Sequence, residues 1–219
     1  MHNLKLIIFD LDGTLVNAYP AIISSFNCTM REFGYPRQEP SLIRRAVGWG
    51  DENLLEPFIK ATDLKKALRF YRKHHRVSLV KQSRLFPRAK KILTYFRGRG
   101  YKLAVASNRP TRFSWILIRH LKIAGYFDYV LCADKLRHIK PHPEILNTIL
   151  KKFSLQPQQA IYVGDMALDA QAGRRAGIKT AIVTTGSSTR QEIKKQKPWR
   201  IMHKITDLGG ILHSGQAAI

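Results

Sequence analysis

The run Leu6-Ile-Ile-Phe-Asp10-Leu-Asp12-Gly13-Thr14-Leu-Val constrains this chain more than any other stretch. An unbroken apolar run of this length reads as a strand buried on both faces, because a strand wet on one side alternates apolar and polar residues. Such strands lie inside parallel sheets covered by helices on both sides. The run stops on two carboxylates one residue apart, and packing does not account for them. An Asp-capped turn would explain one of them. In an open parallel sheet the carboxyl ends of the strands are where ligands sit, near the point where crossovers change direction.

The chain in order supports that architecture. After Thr14 the apolar spacing becomes helical: Ala21, Ile22, Ser25, Phe26 and Met30 share a face before Gly34. Ser41 to Val47 reads as a short helix ending at Gly48, and Asp51 opens another as its cap. A longer helix from Asp63 to about Val80 carries Leu64, Leu68, Tyr71 and His75 at helical intervals, with His74 and His75 read as helix-surface residues rather than ligands. From Pro87 the rhythm alternates. Strands are expected at Lys102–Ser107, Tyr129–Cys132, Ala160–Gly164 and Thr180–Val183, with helices at 88–99, 111–123, 143–153 and 168–176 between them. A basic helical run follows Ser187, then an edge strand at Arg200–His203 and a frayed end past Leu212. The expected fold is α/β: a doubly wound, Rossmann-like parallel sheet formed by residues 1–17 and 87–219, with an all-helical cap inserted at 18–86.

Thirty-eight Lys and Arg stand against 15 Asp and Glu, a formal charge of +23. That balance attracts polyanions and speeds encounter with anionic substrates. The basic residues are scattered and no nucleic-acid-binding motif is present, so nucleic acid is the less favoured partner. Cys28 and Cys132 form neither a disulfide framework nor a metal cluster, which fits a reducing compartment. No stretch approaches the ~20 apolar residues of a membrane helix. A cytoplasmic protein without a membrane partner is expected.

Three later strands also end in chemically loaded residues. Ser107-Asn108 offers a hydroxyl and an amide for an oxyanion, although helix capping before Pro110 explains the pair equally well. Lys140 sits among prolines that stiffen the backbone and fix where its ammonium points, whereas a lone lysine in so basic a chain is ordinarily a solvated one. Asp165 and Asp169, four residues apart, share the same side of a helix start. With Asp10 and Asp12 they would crowd four carboxylates into one cleft. One lysine and a divalent cation relieve that repulsion, and Mg²⁺ suits such a site.

Asp10-x-Asp12-Gly13-Thr14, Ser107, Lys140 and Gly164-Asp165-x-x-x-Asp169 together resemble the four motifs of the haloacid dehalogenase-like hydrolase superfamily, over nearly the whole chain and with a helical cap between the first and second motifs. The resemblance is to the phosphoglycolate phosphatase-like branch, which also holds β-phosphoglucomutase and a pyrophosphatase. Asn17 and Met166 depart from the usual Asp and Thr or Ser, which blurs the subfamily. The resemblance implies a Mg²⁺-dependent phosphatase of a small phosphomonoester, with Asp10 forming an aspartyl-phosphate and Asp12 as acid and base. It implies that Asp10, the Asp12 carbonyl and Asp165 bind the metal with Asp169 behind them, and that Thr14, Ser107, Asn108 and Lys140 bind phosphate. In the cap, Arg44, Arg45 and Trp49 are the expected specificity residues, one arginine meeting a second anionic group of the substrate; packing of Trp49 within the cap is the alternative. Phosphomutase and pyrophosphatase chemistry stay open, as does a nucleic-acid-associated role.

Overall fold

The computed structural model describes residues 3–214. β1 (Leu6–Phe9) leads through a tight turn to β2 (Val16–Asn17), followed by helices α1 (Tyr19–Glu32), α2 (Pro40–Ala46), α3 (Asp51–Leu55) and α4 (Ala61–Gln82). β3 (Arg84–Leu85) returns antiparallel to β2 and closes the helical segment with a two-stranded ribbon. Next come α5 (Ala89–Gly98), β4 (Lys102–Ser107), α6 (Thr111–His120), β5 (Tyr129–Cys132), α7 (Glu144–Phe153), β6 (Ala160–Gly164) and α8 (Ala167–Arg175). β7 (Lys179–Val183), α9 (Arg190–Lys195), β8 (Arg200–Met202) and α10 (Asp207–Ser214) complete the described chain.

Six strands form one sheet in the order β5-β4-β1-β6-β7-β8, every pairing parallel. The chain starts in the middle, winds outward through β4 and β5, then crosses to β6, β7 and β8. The direction therefore reverses at β1, and the crevice beyond its carboxyl end is the ligand position for this topology. The strands are buried on both sides, as their composition required. Ile7, Phe9, Leu103, Val105, Ile161 and Val163 face α5, α6 and α10, while Leu6, Ile8, Ala104, Ala160 and Tyr162 face α7 and α8.

The helical segment packs chiefly through α1 against α4, and Tyr71 and His75 of α4 stack at 4.9 Å before meeting Phe113 of α6 at 5.3 Å. His75 is buried, not a surface residue: it continues the apolar stripe of Leu68 and Tyr71. Asp51 is not the cap of its helix but the first helical residue, with Gly50 as cap, and its carboxylate takes both Nε and Nη2 of Arg72 at 2.7 and 2.9 Å. The expected fraying past Leu212 falls largely outside the described residues.

Phe96 of α5 is fully buried against Phe9, Tyr95 and Tyr101, with centroids 5.2–6.5 Å away. Phe96→Ala should destabilise the fold by about 3–5 kcal/mol, read as a lower urea midpoint with an unchanged m-value.

Candidate active site

The carboxyl ends of β1, β4 and β6 and the loop before α7 bring Asp10, Ser107, Asp165 and Lys140 to one point. Lys140 is 2% exposed, and its ammonium reaches Asp10 Oδ1 at 2.7 Å, Asp169 Oδ1 at 2.8 Å, Tyr162 Oη at 2.8 Å and the Ala106 carbonyl at 3.1 Å. The loop is fixed by Asn108: its Oδ1 accepts from the Lys140 N–H at 2.9 Å and its Nδ2 donates to the Lys140 carbonyl at 3.0 Å. The same Nδ2 donates to the Gly48 carbonyl of the helical segment at 2.8 Å. Gly48 lies so close to Met166 that a Cβ would stand 2.9 Å from its sulfur, and its φ of +120° favours glycine.

Asp169 stands behind the cleft. Its Oδ2 accepts from the backbone N–H groups of Asp165 and Met166, and its Oδ1 from Tyr162 and Lys140. Asp165 is less well supplied: Thr14 Oγ1 donates at 3.1 Å and Tyr19 Oη at 3.4 Å. Gly13 lets Asp165 approach the β1 loop, since a Cβ there would sit 2.1 Å from Asp165 Oδ2. Asp10, Asp165 and Asp169 thus face a single ammonium.

The electrostatics follow from that count. Burial, resisted by Lys140 and reinforced by Asp169, pushes Asp10 up to about 7. Burial and then Asp169 and Asp10 push Asp165 well above the usual carboxylate range. Burial alone would lower Lys140, but Asp10 and Asp169 outweigh it and hold it charged. Two buried carboxylates short of positive charge, with oxygen-only donors, fit a hard divalent cation such as Mg²⁺.

Asp12 takes a different partner. Its Oδ2 accepts from Arg109 Nε at 2.6 Å, while its buried Oδ1 has no partner. Arg109 Nη1 lies 2.7 Å from His75 Nε2, and His75 Nδ1 lies 3.1 Å from Ser25 Oγ. Burial, then the guanidinium, holds His75 well below its ordinary pKa, so it is a neutral acceptor. Asp12 raises Arg109 against the opposing effect of burial.

Asp10, Asp12, Ser107, Asn108, Lys140 and Asp169 line one cleft, which Asp165 and Thr14 abut. Its apolar wall includes Val47, Leu54, Tyr71 and Phe113, and its volume is about 70 Å³. Arg44 and Arg45 are not brought there. Arg44 donates to the carbonyls of Thr185 and Gly186 at 2.7 and 3.2 Å and covers the Tyr19 ring at 4.0 Å. Arg45 donates to the Ser187 carbonyl at 2.7 Å and pairs with Glu192 at 2.6 Å. Both arginines tie α2 to the loop after β7. Trp49 is 44% exposed and does not line the cleft. Arg109, His75 and Tyr162 were missed from sequence. The strand-end position of Arg109, directly after Ser107-Asn108, was the available signal.

The crossed sheet with its acidic crevice and buried lysine defines a class of hydrolase. The chain belongs to the haloacid dehalogenase-like hydrolases, whose family model matches residues 7–183. It is similar to the phosphoglycolate phosphatase of Aquifex aeolicus (strain VF5), 32% identical over 84% of this chain and 86% of that protein. The phosphoglycolate phosphatase of Haemophilus influenzae (strain Rd) is 32% identical over 95% and 98%. The crystal structure of a predicted phosphoglycolate phosphatase from Haemophilus somnus 129PT superposes with a TM-score of 0.91 at 30% identity, covering 97% of this chain and 99% of the other. Among the described residues no helix is long and apolar enough to cross a membrane.

The raised pKa of Asp165 means that the folded state keeps a proton the unfolded state has released. Its stabilising contribution is complete below the unfolded value near 3.8 and is lost as pH rises through the folded value. In chelator, Asp165→Asn should therefore melt at a higher temperature than wild type near neutral pH, the gap widening as pH rises above the unfolded value near 3.8. Adding Mg²⁺ should raise the melting temperature of wild type and leave that of the variant nearly unmoved.

Proposed function

We propose that the protein is a Mg²⁺-dependent phosphatase of a small phosphorylated acid, of the phosphoglycolate type, working through an aspartyl-phosphate. The observation that carries this reading is the buried Asp10–Lys140 pair at 2.7 Å, with Asp12 two residues further along and Asp165 bonded to Thr14 of the same loop. Lys140 pins Oδ1 of Asp10 and leaves the second oxygen to attack phosphorus. The Asp10–phosphorus bond forms as the phosphorus–alkoxide bond breaks, and Asp12 gives its proton to the departing oxygen. Water then attacks phosphorus, Asp12 takes its proton, and Asp10 is released.

The hydroxyls of Thr14 and Ser107 and the Asn108 backbone N–H hold the phosphoryl oxygens, whose charge the transition state spreads, and the Lys140 ammonium, already bonded to Asp10, offsets that charge from beside them. Mg²⁺, held by Asp10, the Asp12 carbonyl and Asp165 with Asp169 behind them, would supply further neutralisation of those oxygens. The cleft's small volume favours a substrate of a few carbons over a nucleotide, because clefts for drug-sized molecules run to about 300–1,000 Å³. Arg44 and Arg45 serve here as a latch that seats the helical segment, since their donors are taken by core carbonyls and Glu192.

Asp10→Asn should reduce turnover of 2-phosphoglycolate by about 10⁴-fold or more while the circular dichroism spectrum stays that of wild type. Chelator should silence the wild-type enzyme and Mg²⁺ restore it. Phosphate release by the Asn variant at near wild-type rate would remove Asp10 as the nucleophile.

A further inference from the structure

Arg109 stands out in this cleft because its guanidinium is only partly used. Nε donates to Asp12 and Nη1 faces His75, while Nη2 has no protein hydrogen-bond partner among the described residues. The side chain is 7% exposed and lines the cleft between Asp12, Tyr71 and Phe113. Lys140 also lines the cleft, but its ammonium is shared among Asp10, Asp169, Tyr162 and a carbonyl. A buried guanidinium with a free edge in a small apolar cleft is a receptor for a second anionic group, and the planar fork suits a carboxylate.

The bond to Asp12 adds a second element. An oxygen that accepts from a guanidinium N–H is not at that moment available to donate a proton. Asp12 Oδ2 is in that state, and its Oδ1 is buried without a partner. The arrangement is poised for exchange: an arriving carboxylate that takes the Nη2 and Nε edge of Arg109 frees Asp12 to turn toward the leaving oxygen. His75 would keep its hold on Nη1, so the guanidinium pivots about a contact supplied by α4.

We propose that Arg109 is the carboxylate-binding residue for the substrate, and that the substrate's own carboxylate displaces Asp12 from it. The proposal rests on the phosphatase reading above and names the substrate class: phosphomonoesters whose ester carbon itself bears a carboxylate. The cleft then discriminates by exchange of ionic partners, with no bond made or broken. A phosphomonoester of the same size without a carboxylate leaves Asp12 on Arg109, and its phosphate gains no second anchor.

The test compares 2-phosphoglycolate with ethyl phosphate, which keeps the phosphate and the size but replaces the carboxylate by a methyl group. Binding is measured by calorimetry with Mg²⁺ in the Asp10→Asn protein, where turnover does not interfere. Phosphoglycolate should bind about 10–100-fold more tightly than ethyl phosphate. Adding Arg109→Gln should collapse that ratio to near one, and Arg109→Lys should keep part of it. Adding Asp12→Asn, which removes the competing carboxylate, should raise the ratio above that of the Asp10→Asn protein. No preference in the Asp10→Asn protein, or the same preference after Arg109→Gln, overturns the proposal even where the substituted protein proves less stable. An unchanged ratio after Asp12→Asn overturns the exchange. If wild type releases phosphate from neither compound while the binding preference and its loss in Arg109→Gln persist, the phosphatase reading fails and the carboxylate site stands.

Discussion

The Lys140 ammonium is the contact on which the rest of the site depends. It is the only cation in contact with Asp10 among the described residues, and it joins Asp10 after β1, Ala106 in β4, Tyr162 in β6 and Asp169 in α8. Three N–H donors meet four acceptors there, so no donor is unmet. Burying a lysine costs several kcal/mol per ion before compensation, and partners this close are what make it tolerable. Its position cannot drift, because Asn108 bonds both the N–H and the carbonyl of the same residue. Removing the ammonium would leave three carboxylates facing one another without relief, which is why one side chain governs both fold and chemistry at this sheet edge.

The contact between the helical segment and the core is organised around the same place. The Arg45–Glu192 pair is solvent-exposed, and such pairs contribute little. The contacts at the cleft are the part-buried bond of Asn108 with Gly48 and the buried one of Arg109 with His75, beside the buried bond of Tyr19 to Asp165. Asn108 and Arg109 follow Ser107 in the chain, so the strand end that lines the cleft is also the one that meets the helices. Neutral His75 is what makes the second contact workable, since a charged imidazole would repel the guanidinium it accepts from.

The core was legible in the sequence because burial on both faces leaves an unmistakable trace. The runs at 6–9, 102–107 and 160–164 are strands for the reason their composition implies, and the carboxylates and lysine at their ends converge as the sheet topology requires. What sequence reasoning missed were residues whose role comes from a partner distant in the chain. Arg109 is one arginine among many in a chain of charge +23, and apart from its place after a strand end it is contact with Asp12 and His75 that distinguishes it. His75 occupied a helical interval after Leu68 and Tyr71, which was evidence of burial, but its polarity argued the other way until Arg109 and Ser25 supplied its partners. Glycines flanking Trp49 at a helix junction, where cap loops of similar proteins touch substrate, point to Arg44 and Arg45 as substrate contacts. Backbone carbonyls of residues 185–187 accept from them instead, a preference that no local pattern encodes.

The charge distribution sets two opposing requirements for an anionic substrate. At long range an excess of 23 positive charges draws dianions toward the surface and raises their encounter rate. At short range the crevice is acidic, and among the described residues Asp10, Asp12 and Asp169 are ion-paired with Lys140 and Arg109 alone, while Asp165 has no ion-pair partner. A phosphate entering such a crevice gains nothing from the distant field once solvent and salt have screened it. On the proposed reading, entry then depends on cations inside the cleft: a divalent ion that the carboxylates would hold, and the free edge of Arg109. A substrate with two anionic ends can use both at once, whereas one with a single phosphate uses only the first. The geometry thus turns a shortage of positive charge at the centre of a strongly basic protein into a basis for choosing its substrate.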